Sequence, residues 1–555
     1  MTRRKRWATT VAAAIAVTIA LAGCVGIPSS GRVNAGPKVN NGGQQQPGID
    51  LPLPPPHNAT KTELVNDFLQ AATSADGNYA IAKEYLTAKA AQAWDATKSV
   101  LVRERPATPE DVGGNVVDYA VSTKASVNAL GIYAEQGTVS TQTVSYTFTK
   151  VGGQWRISDL PDGIVLSRTN FETSFAEYPI YFFDPDYRYL VPDVRWFPKG
   201  STVSDRIVTA LLAGPSPWLQ QGVVASAFPA GVQPGTPAVV KNSAATIDFN
   251  ASAASAKDPV RGRMKQQLEA SLLANGITTV NMTARGAPLV FPDSSESKAQ
   301  IAVATQAAPL LQRGKQFGFF PGLQSLGGIT NEVVGLDGTA ISLDRGGAAA
   351  AVLAKGGVFL ATNTGTKMVD SRPGLIPPSI DPLAYVWSVP ATSPTAIQVA
   401  GTDGVPHQVT SQLPADSTIV SLDVSHDGTR VLMYLLTDSG PRLVVAGVVR
   451  RAGLPTALGD LLDLPVSSVT PIDATWVDST TVAALGSDVN GDAVTSYVVG
   501  GSVGDTSRTE DAVRLVGGAG ADSLRLLTDT GEVQELRASG WQNIGVVASV
   551  LASQQ

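Results

Sequence analysis

The sequence predicts a multidomain chain in which two α+β domains precede an all-β propeller. Three observations carry that expectation. Between about 62 and 170, apolar residues at helical spacing give way to strict alternation. Between about 175 and 300, aromatic strand-like segments interleave with two helical patterns. From about 315 to the end, short apolar runs are separated by Gly, Asp and Pro turns, with echoes at regular spacing.

The first residues set the compartment. Arg3, Arg4, Lys5 and Arg6 form a basic start, and Ala8 to Ala20 an uncharged apolar run. Such a run is too short and Ala-rich for a permanent span, which takes about 20 strongly apolar residues. Leu21-Ala22-Gly23 then precede Cys24, the only cysteine in 555 residues. Together these features read as an export signal over 1–23. Leu-Ala-Gly-Cys resembles the bacterial lipobox. The resemblance implies cleavage between Gly23 and Cys24, with a diacylglyceryl group on the Cys24 thiol. The competing readings are an ordinary secretory peptide and an uncleaved anchor. Two lipid chains suffice for stable anchoring where one gives marginal binding.

The net charge of −6 becomes more negative once the basic start is removed, so nothing favours nucleic-acid binding. A chain whose one cysteine is lipidated has no disulfide and must rely on its cores. Residues 24–60, rich in Gly, Pro, Asn and Gln, have too little apolar content to offset their ordering entropy and read as a flexible tether.

The first folded domain is expected over 61–172. Leu64, Val65, Phe68, Leu69 and Ala72 fall on one helical face. "AIAKEYLTAKAAQAW" predicts a second helix with Ile81, Tyr85 and Trp94 in the core. After Gly113-Gly114 the period becomes two: Val144, Tyr146 and Phe148 alternate with polar residues, Gly152-Gly153 turn the chain, and Trp155 and Ile157 resume. Helices followed by a hairpin ending in "GGQWRISD" resemble the cone-shaped α+β fold of ketosteroid isomerase and its exported, non-enzymatic relatives.

The second domain is expected over 173–310. "YPIYFFDPDYRYLVPDVRWFPKG" is aromatic and strand-like. A helix follows with Ile207, Val208, Leu211 and Leu212 on one face, Ser204 as a candidate cap and Gly214-Pro215 as its stop. Then come "FPAGV", the alternating "AATIDFN", a helix at "RGRMKQQLEASLLANG" and a strand at "ITTVNMTARG". "LLAGPSP", "FPAGV", "ATIDF" and the late "VNMTARGAPL" in this order resemble the GerMN domain.

Residues 311–555 are expected to form the propeller. "GTAISLDRGGAAAAVLAKGGVFLAT" echoes "SLDVSHDGTRVLMYLL", with Leu343 and Val424 in matching places. Their separation is about two four-stranded blades, and "YVWSVP" around Trp387 fits a blade between them. The length allows about six blades. A β-sandwich with regularly spaced strands is the competing architecture.

In this order, lipobox, tether, small α+β domain, GerMN-like domain and propeller resemble LpqB, an actinobacterial lipoprotein family. "YFFDPDYRYLVPDVRWFP", "LLAGPS" and "SLDVSHDGTRVLM" carry the resemblance most specifically. It implies a lipid-anchored protein on the extracytoplasmic face of the cell membrane, accessory to the MtrA–MtrB two-component system. Its implied partner is the extracytoplasmic domain of an MtrB-like sensor histidine kinase, whose envelope and division signalling it would tune.

No catalytic, cofactor or metal constellation emerges. His57, His407 and His426 are the only histidines, and no pair has zinc spacing. His426, in "SHDGTR", reads as a solvated turn residue. "GLQSLG" lacks the first glycine of a nucleophile elbow, because Leu323 stands there before Ser325. "DVNGDA" starts like a calcium loop, but Ala493 and Val499 occupy the places of its glycine and glutamate, so Asn490-Gly491 reads as a hairpin turn. An isomerase-like cone would need a buried acid. Asp118 and Asp159 are the candidates, Tyr119 and Tyr146 read equally well as core, and no catalytic site is assigned. The expectation is therefore a non-enzyme acting by contact, with Tyr178 to Phe197 as the domain junction. A binding module for a small cell-wall ligand is the alternative. A hydrolase of envelope polymers, with two acids about 5–10 Å apart, is the third reading.

Overall fold

The computed structural model describes residues 52–291, 298–301, 303, 305–538 and 540–555. The expected signal peptide, Cys24 and the tether up to residue 51 lie outside the described residues. Residues 52–555 form one compact unit.

The last part of the expected tether, 52–60, lies against the first domain. The Tyr85 hydroxyl donates to the Leu53 carbonyl at 2.9 Å, and the Asn58 N–H to Gln154 Oε1 at 2.7 Å. Thr60 then starts α1 (Lys61–Ala71) through a capping box with Glu63. Leu64, Val65 and Phe68 bury one face of α1, as their spacing predicts. The expected second helix is broken in two, α2 (Ala80–Lys83) and α3 (Ala88–Ala93). Between them the backbone at Tyr85–Thr87 bonds to Ile157 of the sheet, and Thr87 caps the restart. The helical period continues across a segment that tertiary pairing holds extended.

Six strands complete this domain: β1 (Ser99–Arg103), β2 (Glu110–Gly113), β3 (Val116–Asn128), β4 (Tyr133–Val151), β5 (Gln154–Asp159) and β6 (Ile164–Ser167). The sheet order is β5-β4-β3-β1-β6, with β2 added to β3. Alternation was expected only after Gly113-Gly114. β1 and β2 precede it and are too short to register as a pattern. Ser167 caps a further short helix, α4 (Arg168–Ser174).

The second domain opens with an antiparallel hairpin, β7 (Phe175–Phe183) and β8 (Leu190–Pro198). α5 (Val203–Ala213) follows, stopped by Gly214 at φ 99°. Ser204 does not cap it: the helix starts after Thr202 without a side-chain cap, and buried Ser204 accepts from Asn275 Nδ2 at 2.9 Å. Then come β9 (Val239–Lys241), β10 (Ala244–Phe249), α6 (Ala251–Ala254), α7 (Asp258–Leu273), β11 (Thr279–Ala284) and β12 (Ala287–Pro288). The strands form a sheet in the order β12-β11-β10-β9, and Ile207, Leu211, Ile247, Met264 and Met282 meet in its core.

The remainder is a closed propeller. Five runs of four antiparallel strands cover 340–370, 379–408, 418–464, 470–509 and 512–547, here blades one to five; the last four are separate sheets, and the first is part of a seven-stranded sheet. The sixth combines Leu310–Arg313 and Gln316–Phe319 with Val550–Gln554, a strand from the far end of the domain. That late strand also pairs with Ala340–Leu343 of blade one, so the ring closes through backbone bonds. Leu343 and Val424 end the first strands of blades one and three, and Trp387 lies in blade two between them. Among the described residues an α-helix, Gly328–Gly335, and a 3-10 turn, Ala521–Ser523, interrupt the all-β pattern. No helix among the described residues is long and apolar enough to cross a membrane.

Candidate functional site

β8 is buried along its whole length, which alternation alone does not explain. A strand with one solvated face reads polar at every second position, but here both faces meet protein. Trp196 stacks with Phe171, ring centres 4.8 Å apart, inside the first domain's core. Phe197 belongs to the second domain's core. Val191 belongs to a cluster with Tyr434, Trp476 and Tyr497 of the propeller. One strand thus enters three cores.

A buried ion pair locks this strand in place. Arg195 is fully buried and closes bidentately on Asp193, at 3.0 and 2.6 Å. Its other donors reach the carbonyls of Leu130 in the first domain (2.9 Å) and Gly214 after α5 (3.2 Å). Asp193 also accepts from the Ser216 N–H and hydroxyl, both at 2.7 Å. The segments "VPDVRWFP" and "LLAGPS", both singled out in the sequence, are therefore two halves of one contact. A fully bonded buried pair of this kind fixes geometry more than it adds stability. The sequence gives no periodic signal for it, since Asp193 and Arg195 sit where a core strand would carry apolar residues.

The propeller side of the junction is shaped by glycine. The 3-10 turn Pro217–Leu219 and Val223 press onto blade three at Gly447 and Gly459. A Cβ at Gly447 would lie 2.5 Å from Val223 Cγ1 and 3.0 Å from the Trp218 carbonyl. Elsewhere on this face Glu177 accepts from the Ser502 hydroxyl at 3.4 Å, and Arg345 reaches Gln300 at 3.2 Å. Burial raises the Glu177 carboxyl above the usual range. The junction spans blades one, three and four. Asp184 and Arg188 also line a 70 Å³ cavity with Leu383 of blade two.

The sites weighed from sequence resolve as follows. The cone mouth holds a cavity of only 40 Å³ beside Phe68 and Tyr146, far below the roughly 300–1,000 Å³ of a small-molecule pocket. Asp118 accepts from the Ser145 hydroxyl at 2.6 Å, Asp159 is exposed at the end of β5, and Tyr119 and Tyr146 are core residues. Ser325 sits in an exposed loop, donating to the Gly327 carbonyl. Asn490 and Gly491 turn the hairpin of blade four. His407 lies in the outer strand of blade two, and His57 precedes α1. No group of three metal-ligating side chains occurs among the described residues.

His426 departs from expectation. Rather than a solvated turn residue, it is 5 % exposed, packed against Gly518 where blade five approaches blade three. Burial pushes its pKa down to about 4, so the imidazole is neutral. Three residues before it, in the first strand of blade three, Asp423 faces the propeller axis. It accepts from the Thr475 hydroxyl (3.0 Å), the Trp476 N–H (3.2 Å), the Ser379 hydroxyl (3.3 Å) and the Gln555 amide. Burial lifts its pKa to about 6. Neighbouring Asp473 is held by the Ser421 hydroxyl, the Leu515 N–H and Arg514. This is the buried acid pair that a hydrolase reading would look to, and protein donors occupy it.

Sequence comparisons agree with this architecture. The family model described as lipoprotein LpqB, N-terminal domain, matches residues 54–172, and that described as lipoprotein LpqB beta-propeller domain matches 322–550. Between them, the Germane model, described as sporulation and spore germination, matches 179–290. The chain is 27 % identical to lipoprotein LpqB of Cutibacterium acnes, covering 93 % of this chain and 90 % of that one. It is 26 % identical to lipoprotein LpqB of Streptomyces coelicolor, covering 91 % and 90 %. Among solved structures, the tandem GerMN domains of GerM from Bacillus subtilis share 18 % identity at a TM-score of 0.19, covering 26 % of this chain and 59 % of that one. A likeness of that size adds nothing to the family matches. With family models of one name at both ends of the described chain, and relatives of that name aligned over nine-tenths of it, the chain belongs to the LpqB lipoprotein family.

Proposed function

We propose that this lipoprotein is held to the extracytoplasmic face of the cell membrane by a lipid on Cys24 and acts by contact, as a non-enzymatic modulator of an MtrB-like sensor histidine kinase. The observation that carries the reading is the junction strand. Domains free to move would present their surfaces independently, whereas three cores sharing β8 present theirs in fixed relation. A rigid arm on a lipid-anchored tether suits a membrane-bound partner, because tethering raises effective concentration and lets a weak interface suffice. The satisfied acids of the propeller axis favour contact over chemistry, and the cone cavity is too small for a ligand.

The test is crosslinking of the tagged chain in living cells, followed by identification of the captured proteins. The expected capture is a sensor kinase, lost or much reduced in Cys24→Ala. Failure to recover any kinase, under conditions that capture a known weak envelope pair, overturns the reading. The anchor has its own readout: the mature N-terminus carries an acylated Cys24, and a soluble product starting elsewhere refutes it.

A further inference from the structure

The two faces of the propeller differ. The second domain sits on the face where the first and second strands of each blade connect, next to Arg345, Gly428 and Ser502. The opposite face carries the second-to-third-strand turns and the links between blades. Over blades three to five it exposes isolated valines: Val469 is 61 % exposed, Val489 93 % and Val513 48 %.

Between blades four and five this face opens into a groove of 610 Å³. One wall is the Asn490–Asp492 turn with the outer strand Val503–Thr509; the other is Gln534 and Trp541 of blade five. Trp541 is half-buried, and its indole N–H is spent on the Ser507 hydroxyl at 3.1 Å. Its ring packs in part on the core shared by blades four and five, and the remainder faces the groove. Asp492, Glu510 and Asp511 line the same groove. Its one cation, Arg508, is closed bidentately on Asp488 at 2.8 Å for both bonds. The groove therefore presents an aromatic wall and three carboxylates without a cation of their own among its lining residues, and exposed Val489 and Val513 lie one and two positions along the chain from its lining residues Asn490 and Asp511.

From this charge and the exposed part of the indole we infer that the groove receives a cationic segment of a protein partner, a Lys or Arg side chain seated against Trp541 with apolar neighbours on the valines. A cation over an indole gains from the ring quadrupole, and flanking carboxylates steer and hold it. The same charge disfavours nucleic acid and anionic lipid. The inference names a face and a chemistry, and it stands whether or not the partner is a kinase.

The test uses the full chain in detergent micelles and a fluorescently labelled oligolysine peptide with apolar flanks, read by anisotropy. The expected result is saturable binding that weakens with salt, roughly tenfold weaker in Trp541→Ala and in the double variant Glu510→Lys/Asp511→Lys. Glu84→Lys, a reversal on the exposed surface of the first domain, leaves it unchanged. An oligoglutamate peptide does not bind. Equal loss in Glu84→Lys and in the groove variants reduces the binding to general attraction by an acidic protein and overturns the proposal. Undiminished binding in the groove variants overturns it too. The double variant changes only exposed side chains, so a folding defect in Trp541→Ala leaves the test intact.

Discussion

His426 and Asp423 should pull stability in opposite directions as pH changes. Burial lowers the His426 pKa from 6.5 to about 4, with Asp427, Arg430, Arg345 and the Gln554 backbone as its polar surroundings. The unfolded chain takes up a proton near the ordinary value while the folded one resists. The contribution is thus complete above about pH 6.5 and lost as pH falls through about 4. At 1.36 kcal/mol per unit it amounts to about 3 kcal/mol. Asp423 is the mirror case: burial raises its pKa from 3.8 to about 6 against the pull of Trp476, Thr475 and Arg514. Its contribution is complete below about pH 4 and lost as pH rises through 6, again about 3 kcal/mol. Between these limits the two largely offset each other. Removing one exposes the other. In His426→Gln, stability relative to wild type should rise by about 3 kcal/mol between pH 7 and pH 4; in Asp423→Asn it should fall by about as much. Urea unfolding across that range measures both, and subtracting wild type cancels the titrating groups that are not coupled to these two. Differences that stay flat with pH, or slopes of the same sign in both variants, refute the assignment of these two buried groups.

Three further outcomes follow from the junction. Gly447→Ala drives a methyl into Val223 and the Trp218 carbonyl and should cost about 1–3 kcal/mol, read as a lower melting temperature, whereas Gly491→Ala, with open space around it, should cost less through backbone strain alone. Arg195→Met leaves the Asp193 carboxylate buried with only Ser216 as donor and should destabilise by about 3–5 kcal/mol, detected as early proteolysis between the first two domains. Gly131→Ala combines a φ of 78° with a Cβ 2.6 Å from the Phe197 ring and should lower the melting temperature more than Gly152→Ala, where a comparable φ meets no neighbour.

Most of the architecture is legible because periodicity reports burial. α1 and α5 announce themselves by apolar spacing, α5 with a Gly-Pro stop as well, and the propeller by echoes such as Leu343 and Val424. What escapes has a physical cause in each case. The helix expected over 80–94 is divided because Leu86 is claimed by the sheet through Ile157, a pairing from 71 residues away that no local period contains. Ser204 looks like a cap but is buried, bonded to Asn275 from the turn that follows α7. His426 looks solvated because its turn is polar; blade five and the late strand cover it. The Asp193–Arg195 pair has no periodic signal because it answers the Leu130 and Gly214 carbonyls, which other elements bring to it. Sequence pattern shows which face of an element is buried, but not that a neighbouring domain buries the other.

That limit bears on where function lies. In a propeller standing alone both faces are open, and the axial strands are the natural place for a ligand. Here the second domain covers one face, and the axial acids Asp423 and Asp473 are engaged by donors from blades two, three, four and five. The open surface with shape and charge left to satisfy is displaced to the seam between blades four and five, on the side away from the junction. Because β8 fixes the second domain to both the first domain and the propeller, that seam holds a constant orientation to residue 52, where the described chain begins. A contact made there is presented at one angle, which is what a rigid arm offers over three domains in loose connection.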